Sequence, residues 1–302
     1  MDFSKEFTHS ELIDCINETQ IAHDFIDISY IGQSVFGKSI PLITLGERTA
    51  QKSVLYVATH HASENICTSI LLRFLEDYIS AYERFAQIYQ INMRYLFKTR
   101  KIYIVPMLNP DGVEYRLSGI REDNPIRERI VAYNGGEDFS KWNANGRGVD
   151  LNHNYNAHFE KYKEFEQNEG IVYGARGYSG EFPESEPEVA ALANFIRYNV
   201  QELEGIITLH SQGEEIYCSS REKELPGVQH IGKLMSRLTG YKLSKAEGSH
   251  ACGGLTDWAI DKLEKPSFTV ECGKGENPLP VSQIPSIYAK LREILFTFPI
   301  LF

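Results

Sequence analysis

Val54-Leu55-Tyr56-Val57-Ala58-Thr59-His60-His61-Ala62-Ser63-Glu64 runs from an apolar stretch straight into a His-x-x-Glu pair. The apolar part reads as a buried strand, and the pattern from Glu64 to Tyr82 predicts a helix behind it. His61 and Glu64 then occupy the turn between the two. Gly205-Ile206-Ile207-Thr208-Leu209-His210 is a second short apolar run, expected to deliver His210 at a strand end. Ser267-Phe268-Thr269-Val270-Glu271 is a third, and it brings a carboxylate to the same kind of place. Open α/β sheets bind ligands at the carboxyl ends of their strands, so the three runs predict one shared site. Two histidines and a glutamate are the N and O donors of a catalytic zinc, which keeps a further position for water. Glu271 is spare for acid–base work. Spacing alone leaves open whether His60 or His61 is the ligand, because such a pair also arises without a metal.

Outward from these runs, Asp27 to Ile31, Ile40 to Leu45 and Lys101 to Pro106 read as further strands. Ser185-Glu186-Pro187-Glu188 reads as a capping-box start to a helix reaching Tyr198, and Val228 to Leu238 and Ile284 to Phe298 read as two more. The span from Gly119 to Gly148, rich in charge, Gly and Asn, predicts a long surface loop with a functional role. Alternation of this kind implies an α/β fold on a buried mixed sheet. With no repeat and no linker, residues 1–302 are expected to form a single catalytic domain.

Composition narrows the function. The formal charge of −10 argues against nucleic acid as a partner, since phosphate binding calls for a basic face. No apolar run approaches the ~18 residues of a membrane span. The polar start shows no secretory pattern, and the 5 scattered cysteines contain no Cys-x-x-Cys pair, so reduced thiols and a cytoplasmic location are expected.

Thr59-His60-His61-Ala62-Ser63-Glu64 resembles the His-x-x-Glu signature of the zinc carboxypeptidases. Asn109-Pro110-Asp111-Gly112 and Gly148-Val149-Asp150-Leu151-Asn152-His153-Asn154 are similar to two more motifs of that family, and His210-Ser211 and Phe268-Thr269-Val270-Glu271 complete the set in order. The resemblance runs from about Ile31 to Glu276. It implies a three-layer α/β/α sandwich on a twisted, mostly parallel, mixed eight-stranded sheet. A narrower likeness rests on the stretch Lys141 to Asp150, on Phe182-Pro183-Glu184-Ser185-Glu186-Pro187 and on the stretch Glu271 to Pro280. These resemble the bacterial γ-D-glutamyl-L-diamino acid endopeptidase I group, whose members cut between γ-D-glutamate and meso-diaminopimelate in peptidoglycan stem peptides.

The resemblance implies one zinc per chain, held by His61, Glu64 and His210, with Glu271 as general base and then acid. Where the family has an arginine that grips a terminal carboxylate, this chain has His153, beside Asn152 as a hydrogen-bonding partner. A planar, permanently charged fork is thereby lost. Asn143 stands where the family has its oxyanion arginine, with Arg147 on the same loop as a substitute, and Ser249 and His250 stand at the place of the substrate-closing tyrosine. Arg116 and Arg176 are candidates for the α-carboxylate of γ-D-glutamate, while Tyr115, Tyr173 and Tyr178 are expected to pack. The implied activity is hydrolysis of the γ-D-glutamyl–meso-diaminopimelate bond in stem peptides or muropeptides. The alternatives are a D,L-carboxypeptidase, another zinc carboxypeptidase, or a weakly active muropeptide-binding protein. Oligomeric state is not legible.

Overall fold

The structure, a computed structural model, describes residues 3–302; the side chains of Ser249 and His250 lie outside the described residues. The described residues form ten strands: β1 (Asp27–Gln33), β2 (Ser39–Leu45), β3 (Lys52–Ala58), β4 (Gln87–Ile88), β5 (Ile91–Asn92), β6 (Arg100–Val105), β7 (Leu203–His210), β8 (Glu215–Tyr217), β9 (Lys242–Ser244) and β10 (Ser267–Glu271). β4 and β5 pair only with each other. The rest form an eight-stranded sheet in the order β1-β2-β6-β3-β7-β10-β8-β9.

The alternation of side chains along β3 explains why it lies at the centre. Val54, Tyr56 and Ala58 enter one core and Leu55 and Val57 the other, all fully buried. Fully burying an aliphatic side chain of this size stabilises by about 1.5–3 kcal/mol, so both faces hold the strand inside. Helices Ile66–Glu83 and Ile284–Thr297 cover the first face, and Pro187–Tyr198 and Leu255–Leu263 cover the second. These are the three expected layers. β6, β3, β7 and β10 are mutually parallel, so their carboxyl ends share one edge.

Two expectations need correction. The span from Gly119 to Gly148 is not a surface loop: it contains the helix Arg127–Asn134, and Trp142, Asn143, Ala144 and Asn145 in it are buried. Polarity misled here because the buried amides bond inside the protein. Asn109 Nδ2 donates to the Ala144 carbonyl (3.0 Å), and Asn145 Oδ1 accepts from the backbone N–H groups of Arg147 (3.1 Å) and Val149 (3.0 Å). The capping box at Ser185 does not form either. The helix starts at Pro187 with Glu186 as its N-cap and no side-chain cap bond, and Ser185 Oγ donates to Glu186 instead.

Candidate active site

Thr59 and His60 lead from the end of β3 to His61, and Ala62–Glu64 form one 3₁₀ turn before helix Ile66–Glu83 begins. The turn is clamped from outside. The Ala62 N–H donates to the Asn143 carbonyl (3.0 Å), Ser63 Oγ donates to Asn143 Oδ1, and Asn109 Nδ2 holds the His60 carbonyl (3.0 Å). Asn109 also caps helix Pro110–Ser118 by accepting from the Gly112 N–H (3.0 Å), so its motif braces the turn.

His61 Nδ1 lies 3.0 Å from Glu64 Oε1, and His210 Nδ1 lies 2.9 Å from Glu64 Oε2. The two Nδ1 atoms are 3.3 Å apart. On its other side, His61 Nε2 donates to Asp150 Oδ1 (2.9 Å). That bond places the ring proton on Nε2 and turns the Nδ1 lone pair toward Glu64 and His210. Electron pairs converging in this way call for a cation or a proton between them. Burial opposes protonation of His61, but the carboxylates of Glu64 and Asp150 outweigh it and raise its pKa well above the ordinary value. The donor set fits zinc: two imidazoles and a carboxylate, with a second carboxylate orienting one imidazole. His60 is excluded as a ligand. It is fully buried, with Nε2 2.9 Å from the Tyr155 hydroxyl.

Glu271 is paired with His210 in the parallel ladder of β10 and β7, so the two side chains leave the sheet on one face. Burial, and then the charge of Glu64, push the Glu271 carboxyl well above the usual carboxylate range, against the pull of His61. It opens onto a cavity of about 350 Å³ whose walls include Asn152, His153, Thr256, Asp257 and Lys245. Asn152 Oδ1 accepts from the Leu255 N–H (3.2 Å). His153 Nδ1 donates to the Cys252 carbonyl (2.8 Å), and its ring stacks on Tyr162 with centroids 3.9 Å apart. Gly253 makes that approach possible: it has φ +78°, and a Cβ there would meet the His153 carbonyl oxygen at 2.4 Å. Burial, then the nearby Asp261, raise the Asp257 carboxyl to about 7.

The structure thus gathers His61, Glu64, His210, Glu271, Asn152 and His153 around one centre. It does not bring Asn143 or Arg147 into the cavity. Asn143 is spent on the metal-ligand turn, and Arg147 is held by Glu186 Oε2 (2.7 Å) and the Ser185 carbonyl (3.0 Å). Arg116 is likewise engaged, buried against Glu6. The readings placed on Ser249 and His250 concern side chains outside the described residues. Tyr115 packs as expected against Phe139 and Trp142. Tyr173 stacks on Tyr133 and packs against Tyr178. Sequence reasoning passed over Asp150 as the partner of His61, although it stands inside the Gly148–Asn154 motif. It also passed over Asp257 and Tyr162, whose neighbours are distant in the chain and left no local signal.

Residues 12–293 match the family described as zinc carboxypeptidase. The chain is 34% identical over 285 residues to γ-D-glutamyl-L-diamino acid endopeptidase 1 of Lysinibacillus sphaericus, covering 94% of this chain and 70% of that protein. It is 32% identical to the uncharacterized protein YqgT of Bacillus subtilis strain 168, covering 90% of this chain and 71% of that protein. Among solved structures, bovine thrombin-activatable fibrinolysis inhibitor in complex with tick carboxypeptidase inhibitor superposes with a TM-score of 0.74 at 20% identity, covering 98% of this chain and 97% of that one. Murein-tripeptide amidase MpaA from Escherichia coli O157 gives 0.53 at 20% identity, covering 89% and 90%. Sequence match, sheet order and donor set agree: this chain belongs to the zinc carboxypeptidase family and is a zinc metallopeptidase.

Proposed function

We propose that the chain hydrolyses the amide bond between γ-D-glutamate and meso-diaminopimelate in peptidoglycan stem peptides or muropeptides. The observation that carries this reading is the cavity beside Glu271, which has His153 rather than an arginine on its wall. An imidazole lacks the planar, permanently charged fork with which an arginine grips a C-terminal carboxylate, so a substrate that continues past the scissile residue is favoured over a plain exopeptidase substrate. The 34% identity to an endopeptidase of that name supports the same choice.

In this reading His61, Glu64 and His210 hold the metal. Zinc, when bound, supplies Lewis acidity and makes a coordinated water acidic enough to react near neutral pH. Asp150 keeps His61 in the tautomer that offers Nδ1. Glu271 accepts the proton of the attacking water as its oxygen adds to the scissile carbonyl carbon. When the C–N bond breaks, Glu271 returns that proton to the leaving amine of diaminopimelate, which sits in the cavity. Asn152 and His153 fix the leaving residue, and Asp257 on the cavity wall offers its ammonium a carboxyl partner.

The reaction belongs in the cytoplasm on this reading, where the 5 buried thiols stay reduced. No helix among the described residues is long and apolar enough to cross a membrane. The test is mass spectrometry after incubating zinc-loaded protein with L-Ala-γ-D-Glu-meso-diaminopimelate and its D-Ala-extended tetrapeptide, with a chelated control. Zinc-dependent release of L-Ala-γ-D-Glu from both is expected. Release from the tripeptide alone would make the protein a carboxypeptidase, and cleavage of neither would overturn the reading.

A further inference from the structure

Arg116, Arg147 and Arg176 lie on the segments around the metal-ligand turn, and the protein engages two of them. Arg116 is paired with Glu6, and Arg147 with Glu186 and the Ser185 carbonyl. Arg176 is exposed, and among the described residues no hydrogen bond or ion pair engages it. Its backbone is nonetheless fixed on both sides. The Ala175 carbonyl accepts from the N–H groups of Asn143 and Ala144, each at 3.0 Å, and the Gly177 N–H donates to Asp150 Oδ2 (3.2 Å). Asn143 in turn holds the Ala62 N–H, and Asp150 holds His61 Nε2. An unengaged guanidinium is thus carried on a chain segment tied, through one intermediary on each side, to the turn that bears two metal ligands.

Arg176 stands outside the cavity beside Glu271. If the amine-side residue fills that cavity, the acyl side of the substrate lies toward Asn143 and Asp150, where Arg176 is anchored. A γ-linked D-glutamyl residue carries a free α-carboxylate there, a group that an ordinary α-linked peptide lacks at that place. We infer that Arg176 is the specificity residue for this reaction, binding that α-carboxylate through its guanidinium; the inference rests on the γ-D-glutamyl reading above. A planar five-donor fork is the side chain best matched to a carboxylate, and a segment already fixed in place loses little further freedom on binding.

The experiment compares zinc-loaded wild type and Arg176→Gln on L-Ala-γ-D-Glu-meso-diaminopimelate and on its α-carboxamide counterpart. Arg176→Gln is expected to lower kcat/KM about 10–100-fold on the carboxylate substrate, mainly through KM, and by less than about threefold on the amide. Arg176→Lys should recover part of the loss, and zinc content and Tm should match wild type, since the side chain is exposed. Full activity of Arg176→Gln on the carboxylate substrate, or an equal loss on both substrates, would overturn the assignment. Wild type cleaving both substrates equally well would overturn this inference alone. Wild type cleaving neither would overturn the functional reading beneath it.

Discussion

His210 and Glu271 face each other in register on two parallel strands, whereas Asn143, Arg147 and Asp150 lie on a segment with no strand at all. The first pair is positioned by the backbone ladder. A one-residue slip of either strand would turn its side chain to the other face of a sheet buried on both sides, so their placement is tightly specified. The second group is positioned by amide side chains acting on backbone groups: Asn109 on the His60 and Ala144 carbonyls, and Asn145 on the Arg147 and Val149 N–H groups. Asn145 Nδ2 also donates to Glu186 Oε2 (2.6 Å), which ties the segment to the start of helix Pro187–Tyr198. The two regions therefore divide the work. On the proposed reading the strand ends carry the chemistry, and the loop segment sets orientation and recognition.

Replacing Glu271 by Gln is the sharpest way to break that division, and it carries the largest expected effect. The amide keeps the size of the side chain and its place on β10 but cannot take a proton. Turnover should fall about 10²–10⁴-fold, the usual worth of a positioned general acid–base group. Bound zinc should stay at one per chain, because Glu271 is not among the converging donors. A variant that turns over like the parent would sink the role assigned to Glu271. One that loses zinc as well would mean that strand-end residues share ligation in a way the geometry does not suggest.

The same division decides what the sequence could disclose. β3, β7 and β10 were legible because short apolar runs bounded by His or Glu leave few choices for a buried strand, and the ligand turn came with β3. His61 could not be separated from His60 by spacing. The distinction depends on the Tyr155 hydroxyl and on Asp150, 95 and 89 positions away in the chain. Arg127–Asn134 escaped notice because Ile130 is its single buried residue, too little for a helical stripe. The buried stretch from Trp142 to Asn145 escaped because its burial is satisfied by polar partners, which periodicity does not register. Arg147 was read as free to reach the oxyanion because its partner Glu186 is 39 positions away.

A loop-side counterpart to the Glu271 test is Asp150→Asn. Asp150 Oδ1 accepts from His61 Nε2, and Oδ2 accepts from the Gly177 N–H. Although burial opposes it, His61 keeps the Asp150 carboxyl well below the usual range, so it is a full anion against the imidazole. The amide weakens that orientation, and its NH₂ group can be placed against either donor. Zinc affinity, measured by competition with a chelator, should fall about 10–100-fold, with activity recoverable at high zinc. Unchanged affinity would show that the strand ends alone position the metal and that the loop contributes nothing to it.

Glu188 probes the loop side at its most remote point, and its replacement carries the smallest effect. The carboxyl is fully buried, accepting from the Val35 N–H (3.2 Å) near Asp111 and Glu186. Burial first, and then the charge of those two neighbours, raise its pKa from 4.5 to about 8. Between about 4.5 and about 8 the folded chain keeps a proton that the unfolded chain gives up, so stability from this group is full below 4.5 and declines as pH rises toward 8. One proton limits that slope to about 1.4 kcal/mol per pH unit. Glu188→Gln, neutral at every pH, should remove it. Chemical unfolding of wild type and variant between pH 5 and pH 8 should therefore show the variant gaining relative to wild type as pH rises, with turnover unchanged at the acid end of that window. Parallel curves would mean that Glu188 is ionised in the fold. The loop segment would then be held down by the cations Lys38 and Arg147, which already pair with Asp111 and Glu186, and not by a neutral buried acid.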